Sequence, residues 1–475
     1  MKLRDLLRGV RTSSTALDID ITSVTCDSRL VKPGALFVAI PGTAMDGAKF
    51  IPQAREKGAV AVLTIDDVDD PRAALAVAAA NFYGCPAEKL SLVGVTGTSG
   101  KTTTTKMIES IFDATGEPVG LVGTIEYRAG DERLSADRTT PDAVVLQEWF
   151  AKMVDAGVKR AVMEVSSHAL ALERTYGVQF ACAVFTNLSQ DHFDFHKDFE
   201  DYFQAKRILF TQTGKRVVNI DDAHGRRLKD EFPDAMTFGR ANADITPDVE
   251  VSVRGLHGTL HTPIGGITVA SRLIGYPNLS NWMAAAGAAI SVGCTREEIE
   301  AGIRNLEAVR GRFENVGEAP SPAGAPVVIV DYAHKPDALE KLLHAVRDLA
   351  NGKRIVLLFG CGGDRDKSKR PLMGEIGARL ADELVLTSDN PRSENPERIL
   401  DDIEKGTGDT PHKRIADRRA AIEQAILGAS NDDVIVIAGK GHETYQLIGD
   451  RVIHFDDREE AELALKKRRS KEHEK

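Results

Sequence analysis

Apolar runs alternate with amphipathic stretches most regularly in the last third of the chain. Residues 327–330, 354–359, 383–388 and 434–438 are short runs rich in Val, Ile and Leu, and each predicts a strand. After the first of them, Leu339, Leu342, Leu343, Val346 and Leu349 recur at the i, i+3, i+4, i+7 spacing of a helix with one face on a core. Strand–helix alternation predicts a mostly parallel sheet with helices on both faces. Ligands of such sheets sit beyond the carboxyl ends of the strands. Every polar cluster of this segment follows a strand: residues 331–334, 361–366, 389–392 and 439–443. Four loops at one sheet edge predict one site.

Two further α/β segments precede this one. Residues 35–40 and 59–64 are strand-like and flank a helical stretch closed by Gly58, and this piece ends near Leu90. A strand at 90–95 then leads into a glycine-rich loop, followed by a second strand at 159–165 and a polar cluster near residue 190. No internal repeat or low-complexity linker interrupts the chain. The expected class is α/β with three domains, 1–89, 90–312 and 313–475: the central one a P-loop parallel-sheet domain, the last Rossmann-like.

The loop reads Gly94-Val-Thr-Gly-Thr-Ser-Gly-Lys-Thr-Thr103 and opens a helix with Met107, Ile108, Ile111 and Phe112 on one face. Glycines let backbone N–H groups close around phosphate oxygens, Lys101 reaches the outer phosphates, and the Thr102 hydroxyl can ligate Mg²⁺. The strict Walker pattern needs glycine at 95, where this chain has Val95, so the match is to the variant Gly-Thr-x-Gly-Lys-Thr-Thr. The competing reading is a glycine-rich turn with a surface lysine. Glu164, at the end of the 159–165 strand, suits the acidic metal partner of such a loop, since as a merely buried strand end it would lack a partner. Residues 187–196, Asn-Leu-Ser-Gln-Asp-His-Phe-Asp-Phe-His, crowd Asp191, His192, Asp194 and His196 together and suggest a second metal site. By pattern alone Lys206 reads as an ordinary helix-surface lysine.

Composition narrows the class without changing it. A length of 475 residues suits about three domains of ~150, and 42% hydrophobic with 28% charged residues is a globular balance. No run approaches the ~18–20 apolar residues that span a bilayer; residues 282–293 are too short and Ala-rich, and predict a buried helix. Residues 1–14 alternate Leu with Arg and lack the apolar core of a signal peptide. Five scattered cysteines without a CxxC pair support neither a disulfide framework nor a zinc cluster, so a cytoplasmic location is expected. A net charge of −10 argues against nucleic acid, and the basic run 466–475 reads as a solvated helix end.

These residues, taken together, resemble the Mur ligases of peptidoglycan synthesis, in order and over nearly the whole chain. The likeness rests on the phosphate loop, Glu164-Val-Ser-Ser-His168, the 187–196 cluster and Ala205-Lys206. It continues through Asn278-Leu-Ser-Asn281, Gly311-Arg-Phe-Glu314, Asp331-Tyr-Ala-His334, Cys361-Gly-Gly-Asp-Arg365, Asp389-Asn-Pro-Arg392 and Gly439-Lys-Gly-His-Glu443. The last three loops resemble the members that add meso-diaminopimelate. The resemblance implies an ATP-dependent amide ligase of cytoplasmic peptidoglycan precursor synthesis. It would join meso-diaminopimelate to the D-glutamate side-chain carboxylate of UDP-MurNAc-L-Ala-D-Glu through an acyl phosphate, giving ADP and phosphate. The alternatives are a lysine-adding relative, a folylpolyglutamate-synthetase-like ligase, which would not need the 389–392 loop, and a nucleotide-dependent binding module without chemistry.

The resemblance also implies roles for particular residues. Gly97, Thr98, Ser99, Gly100, Lys101, Thr102 and Thr103 would hold the ATP phosphates, with Thr102 and Glu164 on one Mg²⁺. His192 and Lys206 would hold a second Mg²⁺, Lys206 as a carbamate made from CO₂, and these two with Lys101 would carry catalysis. Asn281, Arg312 and Asp331 would meet adenine, phosphate and ribose. Ser28, Thr139, Thr140, Ser166 and Arg174 would hold the UDP-muramoyl dipeptide, for which the N-terminal domain would bind the UDP-sugar. Arg365, Asp389, Asn390, Pro391, Arg392, Gly439 and Glu443 would bind diaminopimelate. Leu172 and residues 43–45 are less polar than in some members. The implied partners are these small-molecule substrates alone, with no nucleic acid or membrane, acting on a monomer.

Overall fold

The computed structural model describes residues 1–13, 17–42, 46–317 and 325–473, so the weakly polar stretch 43–45, residue 14 and the end of the basic run lie outside the described residues. Contacts group the chain into two compact units. Met1–Thr246 with Met283–Gly302 form one, and Pro247–Trp282 with Ile303–Lys475 form the other.

The first unit holds two sheets. Strands β1 (Ser23–Thr25), β2 (Ala35–Val38) and β3 (Ala59–Leu63) form a small parallel sheet. The helix Pro71–Phe82 packs beside it, its first turn capped by the Asp70 carboxylate, which accepts from the N–H groups of Arg72 and Ala73. The larger sheet contains β4 (Ser91–Thr96), β5 (Val119–Val122), β6 (Glu126–Ala129), β7 (Glu132–Ser135), β8 (Arg160–Glu164), β9 (Cys182–Phe185), β10 (Arg216–Asn219) and β11 (Met236–Phe238). Its order is β11-β10-β9-β4-β8-β5-β6-β7, parallel from β11 to β5, with β6 and β7 added antiparallel. Register aligns Val95 with Glu164 on one side and Thr96 with Phe185 on the other. The glycine-rich loop, Glu164 and the residues after β9 therefore emerge together at the carboxyl edge.

The second unit carries an antiparallel sheet of β12 (Thr246–Ser252), β13 (Gly255–Thr262) and β14 (Gly265–Ser271), with the first residue of β12 counted in the other unit. Its main sheet contains β15 (Glu314–Val316), β16 (Val327–Asp331), β17 (Ile355–Phe359), β18 (Glu383–Leu386), β19 (His412–Arg414) and β20 (Val434–Ala438), ordered β15-β16-β20-β17-β18-β19. Only β15 runs antiparallel. Central strands are buried on both faces, as their unbroken apolar sequence requires. The helix Pro336–Ala350 buries Leu339, Leu342, Leu343 and Val346 beneath it. Of the stretch expected as a buried helix at 282–293, residues 282–291 lie in the helix Gly275–Ser291, with Trp282 and Met283 fully buried.

One ion pair braces the carboxyl edge of this sheet. Arg418 and Asp457 are both wholly buried, 2.6 Å apart. The same guanidinium donates to the carbonyls of Ser388, just past β18, and Ala438, the last residue of β20. Arg418→Met leaves Asp457 as a buried charge without its partner. Denaturant unfolding is expected to show a loss of about 3–5 kcal/mol in this unit; a loss below ~1 kcal/mol would contradict the bracing role.

Candidate active site

The glycine-rich loop has a backbone that only its own sequence permits. Gly97 and Gly100 have φ of 153° and 85°, and a Cβ at Gly97 would stand 1.9 Å from the Thr186 hydroxyl. Two residues after β9 pin the loop. Thr98 N–H donates to the Asn187 carbonyl (2.9 Å), Ser99 N–H to Asn187 Oδ1 (3.0 Å), and the Thr186 hydroxyl donates to the Ser99 carbonyl (2.6 Å). The helix Lys101–Asp113 starts at once, so the N–H groups of its first turn and the positive end of its dipole face the loop. Lys101 curls over it, its Nζ donating to the carbonyls of Gly97 (2.9 Å) and Thr98 (3.0 Å).

Glu164 was expected to want a metal for lack of other partners, and the structure corrects that reasoning. Its carboxylate accepts from the Thr102 hydroxyl (3.0 Å), the Thr124 N–H (2.7 Å) and the Thr124 hydroxyl (3.0 Å). The donor set still fits Mg²⁺. Thr102 Oγ1 and Glu164 Oε2 are hard oxygen donors standing 3.0 Å apart beside the glycine-rich loop, the ligand type that such an ion takes.

The crowding at 187–196 does not make a chelating cluster. Asn187 is the brace of the glycine-rich loop. His196 is buried, with Nε2 3.0 Å from the Ser167 hydroxyl and Nδ1 3.2 Å from Asp201, and Asp194 is exposed. Among the described residues no three His, Cys, Asp or Glu side chains converge on one point. His192, at φ 57°, has Nε2 3.4 Å from Asp191, and its ring lies edge-on to His168.

Lys206 corrects the reading from pattern most sharply, being only 1% exposed. On the helix Phe199–Thr211 the buried face is Tyr202, Phe203, Ala205, Lys206, Leu209 and Phe210, so the lysine occupies the middle of an apolar stripe. That stripe was the available signal. Its Nζ donates to the Gly97 carbonyl at 2.9 Å and lies 4.4 Å from the Tyr202 ring centroid. Lys101 and Lys206 thus meet on one carbonyl oxygen. Burial, and then the Lys101 charge, push the Lys206 amine well below the ordinary lysine range, offset only in part by Asp191.

A second network hangs from the same strand end. The Thr140 hydroxyl donates to the Glu164 carbonyl (2.8 Å) and accepts from Ser166 N–H (3.1 Å), while Arg174 donates to the Thr140 carbonyl (2.7 Å). Ser166 caps the helix Ser167–Ala171, at whose end Leu172 lies half-buried. The hydroxyls of Thr139 and Thr124 are 3.0 Å apart. Ser28 stands outside this network, donating to Gln53 Oε1 at 2.7 Å.

In the second unit the loops after β16, β17, β18 and β20 meet. Asp331, closing β16, accepts from Phe313 N–H (2.7 Å) and Ala333 N–H (2.8 Å), and burial raises its pKa against the pull of Arg312. The Arg312 guanidinium lies 4.8 Å from the Tyr332 ring centroid, and that ring packs on His442. Asn281 is buried on the helix Gly275–Ser291. Gly439 (φ 119°) faces Asp389, whose carboxylate would lie 3.0 Å from an added Cβ. Asn390 Nδ2 donates to Glu443 at 2.9 Å. Pro391 presents its carbonyl to Gly363, leaving no room for a side chain there. Arg392, at φ 52°, donates through Nη1 to the Gly363 carbonyl (2.8 Å). Its backbone is clasped by the hairpin of β21 (Tyr445–Ile448) and β22 (Arg451–His454), through Leu447 O and Gly449 N. Arg365 is exposed. The sequence reading gave no role to Lys440, which lies wholly buried among Asp389, Asn390 and Glu443.

Comparison with known proteins agrees along the chain. Residues 20–82 match the Mur ligase family catalytic domain, 95–289 the Mur ligase middle domain, and 311–441 the Mur ligase glutamate ligase domain. A Gloeobacter violaceus protein named UDP-N-acetylmuramoyl-L-alanyl-D-glutamate--2,6-diaminopimelate ligase is 48% identical, over 99% of each chain. One of the same name from Thermosynechococcus vestitus is 46% identical over 98% of each. A solved structure of that name superposes with a TM-score of 0.71 at 30% identity, covering 99% of both chains. The chain belongs to the Mur ligase family.

Proposed function

We propose that this ligase joins meso-diaminopimelate to the D-glutamate side-chain carboxylate of UDP-MurNAc-L-Ala-D-Glu, cleaving ATP to ADP and phosphate. In this reading Gly97 to Thr103 cradle the ATP phosphates, and Lys101 exchanges its carbonyl partners for phosphate oxygens. Thr102 and Glu164 would hold one Mg²⁺, His192 and a carbamylated Lys206 a second, and the bound ions would neutralise charge on the transferring phosphoryl group. The substrate carboxylate attacks the γ-phosphorus as the bond to ADP breaks. The amine of diaminopimelate then attacks the acyl carbon and loses a proton, and phosphate leaves with the carbonyl–oxygen bond electrons. Thr140, Ser166 and Arg174, tied to the Glu164 strand end, would hold the UDP-linked substrate, with Ser28 contributing from the N-terminal segment. Asn281, Arg312 and Asp331 would take the remaining contacts to the nucleotide. Segments 1–89, 90–312 and 313–475 would correspond to UDP-sugar, ATP and amino-acid binding. The setting is cytoplasmic and the enzyme a monomer; among the described residues no helix is long and apolar enough to cross a membrane.

The observation that carries the choice of amino acid is Arg392, clasped between Gly363 and the hairpin. Diaminopimelate differs from lysine by one distal carboxylate, and a planar guanidinium can take it with two parallel hydrogen bonds. Arg392 is half-buried and already has a carbonyl partner, so lysine in its place costs about 2 kcal/mol, or ~30-fold. ADP release with the UDP-linked dipeptide tests this. The parent is expected to turn over diaminopimelate and use lysine far less well, and Arg392→Ala should shrink that gap to a few-fold. A parent that uses lysine equally well favours the lysine-adding reading; a variant as selective as its parent removes Arg392 as the selector.

A further inference from the structure

We infer that Lys440 is a positioning residue for the incoming amino acid, its buried ammonium fixing the Glu443 carboxylate and the Asn390 amide in their receiving orientation. The inference rests on reading the 389–392 and 439–443 loops as the amino-acid site. Lys440 has no exposed surface at all, and an ammonium in that position must be matched by acceptors. Its Nζ lies 3.2 Å from Glu443 Oε2, 3.3 Å from Asn390 Oδ1 and 4.0 Å from Asp389 Oδ1.

These bonds settle two orientations that sequence leaves open. Asn390 Oδ1 accepts from Lys440 and also from Leu447 N–H at 2.9 Å. With the oxygen so used, Nδ2 must point the other way, and it donates to Glu443 Oε2 at 2.9 Å. Both donors to Glu443 fall on Oε2. Oε1 is thereby left as the oxygen without a protein donor among the described residues, on a side chain 19% exposed. Lys440, Asp389 and Glu443 together carry one net negative charge, which suits an ammonium of the amino acid. Gln446 Nε2 adds a brace to the Asp389 carbonyl at 2.7 Å, so the backbone behind these groups is held as well. Without Lys440 the Asp389 and Glu443 carboxylates would lose this cation between them, and Asn390 Oδ1 would lose one of its two donors.

Steady-state kinetics on the full-length enzyme separate this role from a merely structural one. Lys440→Met is expected to raise KM for diaminopimelate about 10- to 100-fold, while KM for ATP and kcat change by less than about threefold. In a Glu443→Gln background the same substitution should raise KM for diaminopimelate by a clearly smaller factor, because one of the two groups it positions is already gone. An unchanged KM for diaminopimelate, an equal rise for ATP, or the same factor in both backgrounds would each overturn the inference. Should Lys440→Met fail to fold, Lys440→Gln removes the ammonium while leaving a polar side chain; KM for diaminopimelate is expected to rise there too, and parental KM in that variant overturns the inference. The parent enzyme is the control: if it does not use diaminopimelate the substrate reading falls, whereas an active parent beside an indifferent variant removes only Lys440.

Discussion

Lys206→Ala is expected to lose ligation about a thousandfold, the scale seen when one charge-stabilising group is removed from a site, and to regain part of it with short carboxylic acids. Capture of CO₂ needs a neutral amine, which an exposed lysine at neutral pH hardly offers. Burial and the nearby Lys101 charge push Lys206 well below that range. Below the lowered pKa the ammonium dominates, capture stops, and activity falls as pH falls. The carbamate formed would be an anion with oxygen ligands, as a hard cation requires. A readout independent of turnover is ¹³C NMR in labelled bicarbonate, which should show a carbamate resonance in the parent and none in the variant. The fold should survive at reduced stability, because the substitution leaves a cavity in the buried face of the helix but also removes a desolvated amine held by one hydrogen bond to Gly97. A parent without that resonance, or a fully active variant, would refute the carbamate.

Lys101→Ala is expected to abolish ATP-dependent ligation, by about a thousandfold or more, with circular dichroism and melting close to the parent's. Lys101 bonds to carbonyls of its own loop, and the loop is held independently by Thr186 and Asn187. The substitution has a second expected effect. It takes away a like charge that helps keep Lys206 neutral, so the Lys206 pKa should rise and the neutral fraction at fixed pH fall. The ¹³C carbamate signal should therefore weaken in Lys101→Ala even though Lys206 is untouched. Retained activity would dismiss the phosphate-loop reading; an undiminished signal would show that burial alone sets the Lys206 amine.

Much of the architecture was legible from periodicity. The 434–438 run is strand β20 residue for residue, and the other three C-terminal runs fall within two residues of their strands. Buried parallel strands must be continuously apolar, so they announce themselves. Edge strands need not be, and β19, His-Lys-Arg, gave no signal. Nor did β12 to β14, whose alternation is diluted by glycine and threonine. In the site, glycines with positive φ marked the phosphate loop. Lys206 and Lys440 were misread or passed over because lysine is normally an outside residue. Their burial depends on acceptors, the Gly97 carbonyl and the 389–443 cluster, that lie far off along the chain.

The two compact units are not consecutive stretches of chain, which crosses between them three times. The last part of the first unit, Met283–Gly302, follows a stretch belonging to the second. Gly302 lies so close to the helix Lys101–Asp113 that a Cβ would stand 2.5 Å from Ile111 Cα, and its carbonyl accepts from the Ser110 hydroxyl at 2.8 Å. Gly287 packs on Val217 of β10, where a Cβ would stand 2.8 Å from Cγ1. As the chain leaves the ribosome, the helix that carries Lys101 therefore waits uncovered until residue 302 has emerged, and β10 until residue 287 has. Residues 247–282 must meanwhile wait for partners not yet made. A nascent chain in that interval exposes apolar surface from both units, and chaperones act on such surface.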